Sequence, residues 1–286
     1  MEFEVVRSLR ALHAAIARHR AGPLNSAASL AIVPTMGAIH EAHEKLIEEA
    51  KKHADIIMAS IFVNPKQFSE NEDFNQYPKS EEKDIEKLKS KGCNIIYIPT
   101  IDLMYPNDFD LNISIPILSS VLCGKSRPHH FDGVATVVTK LLLQTNADYA
   151  IFGEKDFQQL LIIKSLVKNL DIPCKIIEIE TVRDSNGLAI SSRNAYLNEK
   201  NKNIANEINL ILKNTINNYK NENNFSEIEN SIRKKFISKG ISDIDYIEIR
   251  NDTNLKKLKN TSNNARIFIA IYIDGIRLID NMKLKS

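Results

Sequence analysis

Residues 31 to 46, AIVPTMGAIHEAHEKL, set His40 and His43 three apart, directly after an apolar run and a turn bearing Gly37. Two imidazoles at that spacing share a face when the backbone is helical. Three kinds of chemistry fit them. At the start of a helix, free backbone N–H groups and the helix dipole favour an anion, and imidazole donors add to the same field, so phosphate is one guest. Zinc is a second, although a metalloprotease helix uses H-E-x-x-H, this one reads H-E-A-H, and no third ligand stands nearby. The third is a pair of structural histidines with satisfied hydrogen bonds.

Two other segments carry polar groups after an apolar strand or a glycine loop. YAIFGEKDFQQL (149 to 160) places Glu154, Lys155 and Asp156 behind Gly153 at the start of a helix. Lys155 there can meet a phosphate and Asp156 can accept from a ribose hydroxyl, but the same residues also make an ordinary charged helix start. TVRDSNGLAISSRNAYL (181 to 197) gathers Ser191, Ser192 and Arg193 after a Gly-containing loop. Two hydroxyls and a guanidinium suit a polyphosphate, and loops of this composition are also common turns.

Apolar periodicity predicts the elements that must hold these groups. It gives a helix over 4–19, a strand over 30–34, a turn over Pro34 to Gly37 and a helix over 40–53. The run IIMASIFV (56–63) is continuously apolar, as in a strand buried on both faces of a parallel sheet. After the polar loop NPKQFSENEDFNQYPKS come helix 81–92, strand 94–99, helix 133–144, strand 149–153, helix 157–170 and strand 175–180. Strands alternating with helices predict an α/β fold with a doubly wound, Rossmann-like parallel sheet, whose ligands bind beyond the C-terminal strand ends. His40 follows the first such end. From about residue 185 the composition shifts towards Asn, Lys and Ile, predicting a smaller α+β domain over 185–286 after a nucleotide-binding domain over 1–184. ARIFIAIYIDGIRLIDNM predicts a hairpin turning at Asp274-Gly275.

Size and composition agree with an ordinary globular protein: 286 residues, 43% hydrophobic, 26% charged, net charge +2. Nothing in that balance requires nucleic acid, and no apolar run is long enough to span a membrane. The Arg-containing N-terminus reads as a surface helix rather than a targeting peptide, so the expected location is the cytoplasm. Cys93, Cys123 and Cys174 are widely separated and odd in number, which argues for buried thiols over a disulfide framework.

The histidine pair at the first strand–helix junction, with a Ser/Arg loop after the last strand, resembles the nucleotidyltransferase superfamily with its HIGH and KMSKS motifs. More narrowly, PTMGAIHEAH, SIFVNPKQF, NEDFNQYPKS, KSRPHHFDGVATVV, FGEKDFQQL and ISSRNAYL resemble, in that order, the pantothenate synthetase (pantoate–β-alanine ligase) family. The resemblance implies an ATP-dependent ligase that joins pantoate to β-alanine through a pantoyl adenylate, releasing pyrophosphate and then AMP, with Mg²⁺ and as a homodimer. It implies ATP contacts at Met36, Gly37, Ala38, Ile39, His40, Glu41, Ala42 and His43, at Gly153, Glu154, Lys155 and Asp156, at Val182, and at Ile190, Ser191, Ser192 and Arg193. His43, His40, Lys155 and Arg193 carry the expected catalytic roles. Gln67 and Gln159 match the pair that holds pantoate, and Gln67 also the β-alanine contact; Asn64, Tyr77, Arg127 and His130 are expected in support. No metal-ligating residues are assigned. The family has glycine where this chain has Ala42, so the resemblance leaves open a catalytically weakened relative, beside the alternative of another nucleotidyltransferase.

Overall fold

Strand β2 (Leu30–Thr35) shows why its sequence lacks polar alternation: Leu30 and Ile32 enter the core on one face of the sheet, while Ala31 and Val33 enter the core on the other. The same division holds in β3 (Ile56–Ile61), with Ile56 and Met58 on one side and Ile57 and Ala59 on the other. A strand covered on both faces has no solvent side to mark. With β1 (Glu4–Val6), β4 (Ile95–Tyr97), β5 (Tyr149–Gly153) and β6 (Lys175–Ile179), these strands form a six-stranded sheet of order β1-β4-β3-β2-β5-β6. Every pairing in it is parallel. The computed structural model describes residues 3–21, 28–69, 74, 80–219, 224–260 and 262–284. Tyr77 lies outside them.

Helices α1 (Leu9–Arg20), α7 (His130–Thr145) and α8 (Phe157–Asn169) cover one face, bringing Leu12, Val138, Leu142 and Ile163 into its core. Helices α2 (Glu41–Ala50) and α3 (Glu81–Ser90) cover the other through Leu46, Ile47, Ala50 and Leu88. The connection before α7 contains three four-residue helices, α4 (Ile101–Met104), α5 (Pro116–Ser119) and α6 (Cys123–Ser126). They are too short for apolar periodicity to reveal.

The expected helix over 4–19 is corrected at its start. Residues Glu4–Val6 are a strand paired with Ile95–Tyr97, and the helix begins at Leu9 because the Ser8 hydroxyl caps it, accepting from the Ala11 amide at 3.2 Å. A β-branched pair ahead of an N-cap residue takes the extended form when a sheet edge offers backbone partners. The second helix also ends earlier than the expected residue 53, at Ala50, and the long apolar strand ends at Ile61.

The remaining elements are α9 (Glu199–Asn217), α10 (Phe225–Ser238) and the antiparallel strands β7 (Asp243–Asn251), β8 (Ala265–Ile273) and β9 (Ile276–Lys283), in the order β7-β8-β9. Asp274 and Gly275 adopt φ of 52° and 75°, the left-handed pair that a two-residue hairpin turn requires. Ile208, Leu212, Phe225, Ile232 and Phe236 pack against Ile267, Ile269 and Ile271 on one face of this sheet. Phe268 belongs instead to the core shared with α7 and α8, with Ile279 packed against it, so the small sheet leans on the large one. Among the described residues no helix is long and apolar enough to cross a membrane.

Candidate active site

The chain leaves β2 for β3 on one side of the sheet, whereas β5 and β6 lie on the other. That reversal opens a crevice beyond the C-terminal ends of β2 and β5, the usual ligand position in a doubly wound sheet. Thr35 and Gly153 close those strands. A cavity of about 250 Å³ occupies the crevice.

The first wall is the turn after β2. Gly37 and Ala38 both have positive φ, 83° and 51°, which turns the chain sharply into α2. Asp84 holds the turn: its buried carboxylate accepts from the amides of Ala38 and Ile39, each at 2.8 Å. A Cβ on Gly37 would stand 2.9 Å from that carboxylate, so the position needs glycine for space as well as for φ. Lys87 donates to the Ile39 carbonyl at 2.6 Å. His40 is then the N-cap residue of α2, and its backbone N–H donates to Nδ1 of His43 at 3.4 Å. An Nδ1 that accepts carries no proton, so the neutral His43 ring has its proton on Nε2. Burial, assisted by the neighbouring cations Lys155 and Lys87, pushes His40 down to about 4. Burial, with His40 and the same lysines beside it, pushes His43 down to about 3. Both rings are neutral hydrogen-bonding groups at physiological pH.

The second wall is the turn after β5. Gly153 leads into the 3₁₀ turn Glu154–Asp156, from which Lys155 and Asp156 line the cavity, their charged ends 3.7 Å apart. The third wall follows β6. Ile190 N–H donates to the Val182 carbonyl at 3.0 Å, and the intervening loop is fixed by Arg183, which pairs with Asp280 of β9 through contacts of 2.6 and 2.8 Å. That loop presents Val182, Ile190, Ser191, Ser192 and Arg193 to the cavity, with the Ser191 hydroxyl accepting from the Arg193 amide.

The far end is amide-rich and built around Asn64. Its side-chain amide donates to Gln67 Oε1 and to the Gly133 carbonyl, both at 3.0 Å, while its own oxygen accepts from the Tyr105 hydroxyl at 2.7 Å. Gln67 donates in turn to the Met36 sulfur at 3.0 Å. The Gln67 carbonyl accepts from His130 Nδ1 at 2.7 Å, and Arg127 donates to His130 Nε2 at 3.0 Å, which sets the His130 tautomer as Nδ1–H. Gly133 lets α7 approach this turn: a Cβ there would lie 2.2 Å from the Lys66 carbonyl oxygen.

Met36, His40, Ala42, His43, Gly153, Lys155, Asp156, Val182, Gln67 and Gln159 therefore line one cavity, together with Ile190 to Arg193. Asn64, Arg127 and His130 share it. Gly37, Ala38, Ile39, Glu41 and Glu154 are not on its wall. Gly37 and Ala38 shape the turn, Ile39 is buried in the core under α2, Glu41 faces solvent, and the Glu154 carboxylate pairs with Arg266 at 3.1 Å. Asp84, Lys87 and Gly133 were not singled out from sequence. Gly133 gave no signal at the start of the expected helix 133–144; only because α7 begins at His130 does it lie inside a helix, where glycine costs about 1 kcal/mol relative to alanine and calls for a packing reason.

A doubly wound sheet whose switch-point cavity is lined by cationic, hydroxyl and amide side chains defines an α/β protein with a strongly polar cleft at the usual ligand position. Comparison with known proteins narrows this. The model of the pantoate-beta-alanine ligase family matches residues 4–283, and the chain belongs to that family of ligases. It is 40% identical over 283 residues to the pantothenate synthetase of Roseobacter denitrificans, covering 99% of this chain and 98% of the relative. It is 41% identical over 282 residues to that of Pseudomonas savastanoi pv. phaseolicola, covering 98% of each. The crystal structure of the Thermus thermophilus pantothenate synthetase superposes with a TM-score of 0.92 at 32% identity over the whole of both chains. The Francisella tularensis ligase, complexed with β,γ-ATP and β-alanine, superposes with a TM-score of 0.81 at 36% identity, covering 99% of this chain and 98% of that one.

Proposed function

We propose that this chain condenses pantoate with β-alanine at the expense of ATP, through a pantoyl adenylate. The observation that supports it is the single cavity that His40, His43, Lys155, Ser191 and Arg193 share with Gln67 and Gln159. ATP lies along the first group, with Val182 and Ile190 at the base, Asp156 at the ribose and Lys155 and Arg193 at the phosphates. Pantoate lies between Gln67 and Gln159, whose amides both donate and accept and so suit hydroxyls as well as a carboxylate.

In the first step a pantoate carboxylate oxygen attacks the α-phosphorus and pyrophosphate leaves. Negative charge builds between the entering and leaving oxygens, so fixed donors aimed there lower the barrier. Lys155 and Arg193 supply positive charge, and the neutral imidazoles of His40 and His43 supply N–H donors. In the second step the β-alanine amine attacks the acyl carbon, AMP departs and the amine loses a proton. AMP is a good leaving group, so holding the amine in line is the main contribution.

Magnesium fits as an ion carried on the ATP phosphates. Glu180 offers a carboxylate on the cavity wall, and no group of three or more His, Cys, Asp or Glu among the described residues could hold a metal ion alone. Bound there, it neutralises phosphate charge. We further propose that residues 1–184 and 185–286 act as two units, the second closing over the site, in a cytoplasmic homodimer.

The test is isotope exchange. With pantoate present and β-alanine absent, labelled pyrophosphate should enter ATP, and adding β-alanine should release pantothenate and AMP. Product formation without any exchange would rule out the free adenylate.

A further inference from the structure

The turn that carries Lys155 is held from the other sheet. Asn281, buried in β9, donates both protons of its amide across to the backbone carbonyls of Glu154 and Lys155, each at 2.9 Å. Its oxygen accepts from Arg266 of β8 at 2.5 Å. That guanidinium, also buried, lies 3.7 Å from the centroid of the Phe157 ring and pairs with Glu154. The Asn281 amide thus has both donors and its acceptor engaged. Two adjacent carbonyls of a short 3₁₀ turn are fixed at one point, directly behind a lysine whose charged end faces the cavity.

We propose that Asn281 is a positioning residue that aims Lys155 at the nucleotide phosphates, with Arg266 holding Asn281 in its rotamer. It touches no substrate and acts through the backbone of Lys155; its role in adenylation rests on the function proposed above. The geometry selects asparagine for a physical reason. Aspartate has the same shape and can keep the Arg266 contact, but it has no proton for either carbonyl. Alanine removes all three bonds. Asp280, the preceding residue, ties Arg183 and so the loop leading to Arg193, and β9 thereby reaches two walls of the cavity.

A double-mutant cycle separates positioning from mere support of the fold. Asn281→Ala and Asn281→Asp are each made in the native chain and in Lys155→Ala. Binding of ATP alone is measured by calorimetry, and pyrophosphate exchange is measured with saturating pantoate. In the native chain each substitution should weaken ATP binding and slow exchange, each about tenfold or more, the loss of one well-aimed donor being worth at least that. The KM for pantoate should stay within about twofold. In Lys155→Ala the same substitutions should change both readouts less than about twofold, because no lysine is left to aim.

Equal losses in both backgrounds would overturn the proposal and leave Asn281 a structural residue. So would native-like ATP binding and exchange in Asn281→Asp. Melting temperatures identify a variant that has simply unfolded, and Asn281→Asp, which keeps volume and the Arg266 contact, decides the case if Asn281→Ala does. Should the native chain bind ATP yet catalyse no exchange, the adenylate reading fails by itself, and the ATP-binding cycle still judges Asn281.

Discussion

The imidazoles of His40 and His43 stack with ring centroids 4.0 Å apart and 19° between their planes, the His40 amide donating to Nδ1 of His43. Stacked rings at this distance cannot both carry charge cheaply, and burial disfavours the charged form of each before their mutual repulsion is added. Two neutral N–H donors at a helix start complement phosphate through hydrogen bonds and the helix dipole rather than through a formal positive charge.

That neutrality makes folding pH-dependent. In the unfolded chain both histidines titrate near the ordinary value of 6.5, whereas in the fold they do so at about 4 and about 3. Between those limits the unfolded chain binds protons that the folded one does not, so stability is full above about pH 6.5 and falls as the pH drops towards 4. The melting temperature should therefore fall more steeply from about pH 7.5 to about pH 4.5 in the native chain than in His40→Asn/His43→Gln, since the carboxylates titrate alike in both. Parallel curves would show that the pair is not held neutral by the fold.

Gly133 and Gln67 make a second test. A Cβ at Gly133 would lie 2.2 Å from the Lys66 carbonyl oxygen and 2.7 Å from the Gln67 nitrogen, and backbone cannot rotate aside as a side-chain tip can. Gly133→Ala should push the Pro65–Gln67 turn away from α7, with overpacking of about 1–3 kcal/mol. The KM for pantoate should rise about tenfold or more, one decade for each 1.4 kcal/mol, with that for ATP little changed. An ATP effect as large as the pantoate effect would mean that the turn does not act through Gln67.

These residues also show where the sequence was legible. β2, β3 and β5 could be read because strands buried on both faces are continuously apolar, and the Asp274-Gly275 hairpin because its turn chemistry is local. β1 could not, since its three residues are extended only where β4 offers partners. β7 escaped within an Asn/Lys/Ile-rich background. In the site, the histidine pair and the Lys155 turn stand out by residue type, although phosphate binding is one of several readings that the residues allow. Gln67 and Gln159 were assigned only by resemblance, as glutamines carry no local signature. Asp84 was invisible: in EEKDIEKL it looks like part of a solvated helical face, and only tertiary packing buries it.

Asp84 yields a third prediction. Its two oxygens each take one backbone amide of the turn before His40. Asp84→Asn keeps the shape but presents an NH₂ to one of those amides, replacing an attraction by two opposed donors. Hydrogen bonds to a charged group are worth about 1.5–3 kcal/mol, and a stability loss in that range should appear in denaturant unfolding. ATP affinity should fall with it, because the displaced turn carries His40, while the KM for pantoate holds. Native ATP affinity in a destabilised variant would separate the turn from the nucleotide site.

Ala42 gives the last. It lies in the first turn of α2 between the two histidines and on the cavity wall, where the family resemblance expects glycine. Alanine favours a helix over glycine by up to about 1 kcal/mol, so the methyl group is locally stabilising. It also occupies space beside the proposed nucleotide, and overpacking of that kind costs about 1–3 kcal/mol when the backbone cannot yield. Ala42→Gly should therefore melt slightly lower and use ATP better, with the KM for ATP reduced by up to about tenfold per 1.4 kcal/mol relieved. Melting temperature and KM for ATP, measured on both forms, test the two halves separately. If the glycine form melts lower but uses ATP no better, the start of α2 has already shifted to accommodate the methyl, and His40 and His43 reach the phosphates regardless of it.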